Sequence, residues 1–599
     1  MKSTGFLLGG LMLALSACGG GGGDSASAPA SSSSSSSVAS SARSSSSSAA
    51  AVTTFLPVSG ETAAYADTRL QITFDSAPTL GSSGYIKVYK KSDDSLVDTI
   101  SLNVFSTGSS VAPSYTSSTL TSHDTQTALA KANVEIDKLG STSTLTQWRY
   151  IFYKPVAISG NTATIRLHDG VLSPSTAYYV QIDNGVLTGN LSGAAFAGIA
   201  NKTSWTFTTR AAPVSTTSVT VDDDGTTADF RTVQGAINWL TTNCGGSSVD
   251  ACNSVSVAKT ITVKNGTYDG ELFIRSLNNL SIQGESRAGV VVRSENFEQY
   301  NPGTGGSATA LPYSTPTNAE VGGNRPRLNG GRAVLLVEGA DLLQLVNFTL
   351  QNTHVKNVWE GATVSINNQA ETIYFNSATL TGSRLVGKQM NFYSTQDTIQ
   401  VKGWVWLYQS LVKGDVDFVW GSPFAALVEE TELRTIVDTT NTALGGYVIE
   451  SRTGKGFPGF VVLNSQLTRE SGVPDNTTML GRQASNFSST ATYCNTQFTG
   501  SGSFGNANLG CNNVAYINTK MDTHIATAGW LYSNAPPITT PSTTEGYRES
   551  GSMTLAGGVL DVSGRSLTYA STSIDLSGLN TRTKVFASWN SNAGWVPVP

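Results

Sequence analysis

Two aspartates, Asp397 and Asp417, stand 20 residues apart in the stretch 396–421. One follows an amide in Gln396-Asp397-Thr398, and the other opens Asp417-Phe418-Val419-Trp420-Gly421. A separation of about 20 residues is one turn of a β-solenoid, and in such a coil the second aspartate stacks on the first. Adjacent strands lie ~4.8 Å apart, and two carboxylates at that spacing do not both ionise freely. One stays a carboxylate while the other holds a proton, which is what a nucleophile and a general acid/base require of each other. Taken singly, Asp397 reads as a turn residue and Asp417 as the cap of a corner, both ordinary places for Asp. Their company decides the matter.

The surrounding chain supplies runs that could carry such a pair. Short pieces of apolar and polar residues recur at 260–263, 280–283, 342–350, 372–380, 404–412, 426–435 and 459–467, with Asn, Gly or Ser at their corners. Asn347-Phe348-Thr349-Leu350-Gln351-Asn352 shows the pattern. Repetition of this kind marks stacked rungs. A helix predicted over 233–240 would cover the open end of the coil, shielding strand edges that otherwise pair with other chains. The segment 295–327, rich in Gly, Pro and Ser, interrupts the rungs as a loop over or beside the working face.

Gln396-Asp397-Thr398, Asp417-Phe418-Val419-Trp420-Gly421 and Leu480-Gly481-Arg482, in this order, resemble the motifs of the pectin methylesterases, carbohydrate esterases that demethylate pectin. Val219-Thr220-Val221-Asp222 through Gly225, with Phe230-Arg231-Thr232-Val233-Gln234-Gly235-Ala236-Ile237, resembles the family's opening. Asn265-Gly266-Thr267-Tyr268 is similar to its first motif, and Asn367-Asn368-Gln369-Ala370 to the one contributing a second glutamine. Several motifs in order, from Val219 to the C-terminus, are far more specific than any one of them. The resemblance implies an all-β fold, a right-handed parallel β-helix over 217–599, whose groove suits an extended pectin chain. It implies Asp417 as nucleophile on the methyl ester carbonyl, and Asp397 as proton donor to methanol and then base for water. Gln369 and Gln396 would be neutral donors to the oxyanion, and Arg482 the clamp that keeps Asp417 ionised and oriented. No metal and no cofactor is expected.

Two departures from the family bear on substrate preference. Gln483-Ala484 follows Leu480-Gly481-Arg482 where the family has Pro-Trp, so an aromatic platform for sugar must come from Trp420, Trp404 or Trp406, with Tyr268 a further substrate-binding residue. Gly270 stands where the family has Glu, and Glu271 comes one place later. His354 and His524 read as bystanders, since no Ser or Asp arrangement near them makes a triad.

At 599 residues the chain has room for two folded units. Charged residues make up 13% and Gly 60 positions, a balance that suits a β-rich exported protein better than a helical cytosolic one. The formal net charge of -5 argues against nucleic acid as partner. The N-terminus reads as a targeting segment, with Lys2 as its charge, 6–15 as its apolar core, and Leu15-Ser16-Ala17-Cys18 resembling a bacterial lipoprotein box. Residues 1–18 are thus expected to be a signal peptide with Cys18 lipidated, and Gly19 after it favours the outer membrane or cell surface. A lipid anchor is the expected membrane contact, and a monomer the expected state. The Gly- and Ser-rich stretch 19–52 is a flexible tether. Setting Cys18 aside leaves four cysteines, predicted to pair as Cys244 with Cys252 and Cys494 with Cys511. Their spacings lack the tight ligand pairing of a zinc site.

Between 53 and 212 the pattern is period-2 runs broken by Gly, Pro and Ser, at 70–74, 85–89, 163–167, 177–182 and 205–209. These predict a small β-sandwich, and the layout resembles the Ig-like domains that precede bacterial exported enzymes. Trp148, Tyr150 and Tyr153 could meet carbohydrate, but large aromatics belong more often to a sandwich core, so the domain reads as a spacer. Other functions remain open to test on the same fold. A pectate lyase needs calcium-binding carboxylates, a polygalacturonase needs carboxyls flanking a glycosidic bond, and neither explains paired glutamines. A surface polysaccharide binder with decayed catalysis is a third possibility, motivated by Ala484.

Overall fold

The computed structural model describes residues 54–102, 127–128, 133–139, 147–153, 155–243, 254–275, 277–298, 300–301, 331–359, 361–363, 365–483, 494, 509–532 and 540–599. Cys18, the predicted Cys244–Cys252 pair, Ala484, most of the predicted 295–327 loop, and the side chains of Trp148, Tyr150 and Tyr153 lie outside the described residues.

The alternating runs near the N-terminus become strands because every second side chain can leave water together. Leu70–Thr73 joins Phe55–Leu56, Thr162–Ile165 and Val156–Ser159 in one antiparallel sheet. Tyr85–Lys90, Ala177–Ile182, Thr206–Thr209 and Leu96–Ser101 belong to a second, six-stranded sheet. Leu70, Ile72, Ile86, Val88, Val180 and Phe207 fill the space between the two sheets, around a fully buried Trp205 whose Nε1 donates to Pro57 O at 2.9 Å. The expected sandwich is therefore present.

From Ser218 the chain coils into a right-handed parallel β-helix. Each turn contributes strands to three parallel columns. One contains Leu272–Arg275, Leu335–Glu338, Ile373–Asn376, Tyr447–Ser451 and Met479–Gln483, and a second contains Lys259–Val263, Leu280–Gly284, Leu343–Val346, Arg384–Lys388 and Gly459–Leu463. The third is the nine-stranded sheet from Gly266–Asp269 to Met553–Thr554. Two long strands, Ile399–Tyr408 and Val416–Glu429, bend from the first column into the second. At the bend Gly403 pairs with Pro423 but Trp404 with Ala425, so Phe424 is an extra residue. A bulge of this kind turns the chain without breaking the ladder. The lumen is a continuous stack of Ile261, Ile282, Leu345, Val401, Val419, Ile449 and Leu480 with their neighbours, all buried.

The helix forms over Val233–Asn243, slightly longer than predicted, and buries Val233, Ala236, Ile237 and Leu240 against the first turns. Its start is held from the sandwich. Asp67 accepts from Thr232 N at 2.7 Å, Thr232 Oγ1 at 2.8 Å and Arg231 N at 2.9 Å, satisfying donors that a helix N-terminus leaves open. The guanidinium groups of Arg210 and Arg231 each lie over the Tyr65 ring, and Arg166 Nη1 reaches Glu271 Oε2 at 2.8 Å. The sandwich is thus docked on the β-helix.

Candidate active site

The corner that leads from the third column into the first positions the two aspartates. Ile373, Ile399 and Val419 are aligned across three successive turns, so Glu371, Asp397 and Asp417, each two residues earlier, fall into one column. Asp397 N donates to Val416 O at 2.9 Å, which fixes the stacking of one aspartate's corner on the other. Both aspartates hold left-handed backbone, φ 60° at Asp397 and 50° at Asp417. Asp tolerates that region better than a β-branched residue does, which suits it to a corner that must turn within one residue. Gln369 and Gln396 form a parallel bridge on the same side, with Ala370 N donating to Gln396 O at 3.1 Å.

Alternation along the first column then sets the outward side chains. Tyr374, Gln400, Trp420, Glu450 and Arg482 are successive partners in register, one per turn. Arg482 reaches back over Asp417, with Nε donating to Oδ1 at 2.8 Å and Nη2 to Oδ2. This fork on a carboxylate is the geometry that guanidinium is shaped for. Tyr447 lies beneath the guanidinium, 4.5 Å from its ring centre.

Both carboxyls are buried, and burial raises each. It pushes the Asp417 carboxyl up to about 6, with Arg482 pulling it down and Glu450 pushing it further up. Burial holds Asp397 well above the usual carboxylate range; Arg332 opposes this, while Glu371, Asp417 and Glu450 add to it. The two groups therefore differ. The clamped Asp417 ionises more readily, and Asp397 keeps its proton to higher pH.

The structure thus gathers Asp417, Asp397, Gln369, Gln396 and Arg482 in one place. The proposed sugar platforms fare differently. Trp404 and Trp406 are both fully buried, because segment 576–595 lies across the outer face of the second column and seals them under Leu579, Val585, Phe586 and Trp595. Trp404 packs on Phe424 and Phe457, and Trp406 Nε1 donates to Glu429 Oε2 at 2.7 Å. Neither can face a ligand, which corrects that expectation. Tyr268 also fails: it is buried in the lumen near the first turn, with its hydroxyl on Lys264 O at 2.8 Å. Trp420 does sit in the site's row, but only 5% exposed, with the guanidinium carbons of Arg452 and Arg332 at 5.0 and 5.7 Å from its ring. His354 stacks on Phe297 and meets Asn368, while His524 meets Thr435. The Cys494–Cys511 disulfide is formed.

Sequence reasoning missed Arg332, Glu371, Glu298 and Glu450, which surround the pair. Arg332 contacts Asp397 Oδ2 at 3.2 Å. A usable signal existed for Glu371, because Gln369-Ala370-Glu371 and Gln396-Asp397 both put an acid just after a glutamine and two places before an aligned isoleucine.

No family model matches the sequence, and no curated protein does. Among solved structures, it is similar to a pectin methylesterase in complex with a hexasaccharide (22% identity, TM-score 0.43, covering 63% of this chain and 98% of that one). It is similar to pectin methylesterase PemA from Erwinia chrysanthemi (21%, 0.43, 62% and 98%) and to pectin methylesterase from carrot (15%, 0.43, 64% and 96%).

Proposed function

We propose that this protein hydrolyses the methyl esters of pectin, giving methanol and polygalacturonate. The observation that carries the reading is a carboxylate clamped by Arg482, Asp417, beside a buried carboxyl that resists ionisation, Asp397, with two glutamines stacked next to them. Asp417 attacks the ester carbonyl carbon, and the oxygen that gains charge is met by the side-chain amides of Gln369 and Gln396, neutral donors that leave the nucleophile's charge intact. The tetrahedral adduct collapses as Asp397 gives its proton to the departing methoxide, releasing methanol and leaving an acyl-enzyme. Asp397, now ionised, takes a proton from water, and the hydroxide cleaves the acyl bond. The galacturonate leaves, Asp417 is again a carboxylate and Asp397 again an acid. Arg482 orients Asp417 throughout.

The reading extends to place and partner. Lys2, the apolar stretch 6–15 and Cys18 support export with a lipid anchor at the cell surface; action on pectin as a monomer is proposed with it.

The test is to follow three products from highly methylated pectin. Methanol supports the esterase. Unsaturated, ultraviolet-absorbing products without methanol favour a lyase. New reducing ends without methanol favour a glycosidase, whose retaining form also needs two carboxyls about 5 Å apart. None of the three, from folded protein, favours a polysaccharide binder.

A further inference from the structure

A small group of buried charges lies directly behind Asp397, and the reaction above makes no use of it. Arg332 is almost wholly buried, and its Nε donates to both carboxylate oxygens of Glu371, at 2.8 and 2.6 Å. Its Nη2 donates to Glu371 Oε1 at 2.6 Å, and its Nη1 to Glu298 Oε2 at 2.6 Å. The bond to Asp397 Oδ2, at 3.2 Å, is the longest of the set. Among the described residues, Arg332 is therefore a cation shared by three carboxyls, all of them out of water. Three buried carboxyls drawn to one guanidinium repel one another when ionised, a cost that buried groups avoid by holding a proton. Burial works against the charge of Arg332, and Glu371, Glu298 and Asp397 more than offset it, so the guanidinium stays charged and relief comes from a carboxyl that holds a proton.

We propose that Arg332, Glu371 and Glu298 are positioning residues for the general acid: the two glutamates saturate the guanidinium, so Asp397 is left as the member that keeps its proton. The proposal rests on the esterase reading for its purpose, but not for its geometry. Burial raises the Glu371 carboxyl too, but Glu371 takes the whole Nε/Nη2 edge of Arg332, which opposes that rise more closely than the single 3.2 Å contact does at Asp397. Asp397 faces Arg332, Glu371, Asp417 and Glu450; of these only Arg332 favours its ionised form. Arg482 and Arg452 lie beyond Asp417 and act on that carboxylate instead. The arrangement also gives a direction. Removing the charge of Glu371 frees the fork of Arg332 to turn fully to Asp397, which then ionises and can no longer donate.

The experiment compares the full-length protein with Glu371→Gln, Glu298→Gln and Asp397→Asn by two readouts. The first is the infrared carbonyl band of a protonated carboxyl near pH 7, which needs no activity. The parent is expected to show this band, Asp397→Asn to lose it, and Glu371→Gln to lose it or to show it only at lower pH. The second readout is the pH profile of methanol release. An acid that must be protonated sets the alkaline limb, so in Glu371→Gln that limb should move down by about one unit or more, the size of one nearby charge. Should Glu371→Gln fail to fold, Glu298→Gln carries the same test with a smaller expected shift. A neutral-pH band that survives Asp397→Asn, or a Glu371→Gln protein whose band is unchanged, overturns the proposal. A band that behaves as expected in a protein that releases no methanol upholds the cluster and rejects the esterase.

Discussion

At the scale of residues, two aspartates are made unequal by their neighbours. Asp417 attacks only when ionised, and its carboxyl is pushed up to about 6, so kcat/KM should fall as the pH drops through about 6. Arg482 pulls in the opposite direction through its fork on Asp417. Replacing Arg482 by Ala should therefore move the acid limb to higher pH as well as slow the reaction by roughly 10²-fold or more, a loss typical of a misplaced catalytic group. A pH profile of Arg482→Ala against the parent checks both effects. The five residues of the site were legible because each lies in a short motif, and because the separation of the aspartates matches one turn. Arg332 and Glu298 were not, since they approach Asp397 and Glu371 from the far side of a stretch of chain whose path the sequence does not reveal.

At the scale of elements, the geometry depends on two long strands that stack closely at the site. Gly421 closes the motif Asp417-Phe418-Val419-Trp420-Gly421 for a physical reason. It holds φ 133°, and a Cβ there would stand 2.1 Å from Val401 O on the turn below. Gly421→Ala should therefore destabilise the fold by about 1–3 kcal/mol, read as a lower unfolding midpoint. Strands such as Lys259–Val263 and Gly459–Leu463 were readable from their apolar runs, but Tyr447–Ser451 and Met479–Gln483 were not. The outward positions of those two carry Glu450 and Arg482, so a run on the working face has too few apolar residues to announce itself. Trp404 and Trp406 misled for the converse reason. A sequence shows that a tryptophan points outward from a coil, but not that a distant segment, here 576–595, comes back to cover it.

At the scale of the whole molecule, the sandwich and the β-helix are joined by named contacts, with Asp67 supplying acceptors to the start of the helix that closes the coil. Asp67→Ala should cost about 1–2 kcal/mol of stability, measured as a lower melting temperature, and leave methanol release per folded molecule unchanged, because the helix lies at the first turns and the aspartates do not. The sandwich was legible from its period-2 runs, whereas its docking was not, since it depends on single polar residues such as Asp67 in turns. The most direct test of the central claim is methanol release from highly methylated pectin, without added metal, by the parent and by Asp417→Asn of matched fold. Release by the parent and a loss of several orders of magnitude in the variant are expected. A parent that is folded but releases no methanol, or a variant that releases it at an undiminished rate, would contradict it.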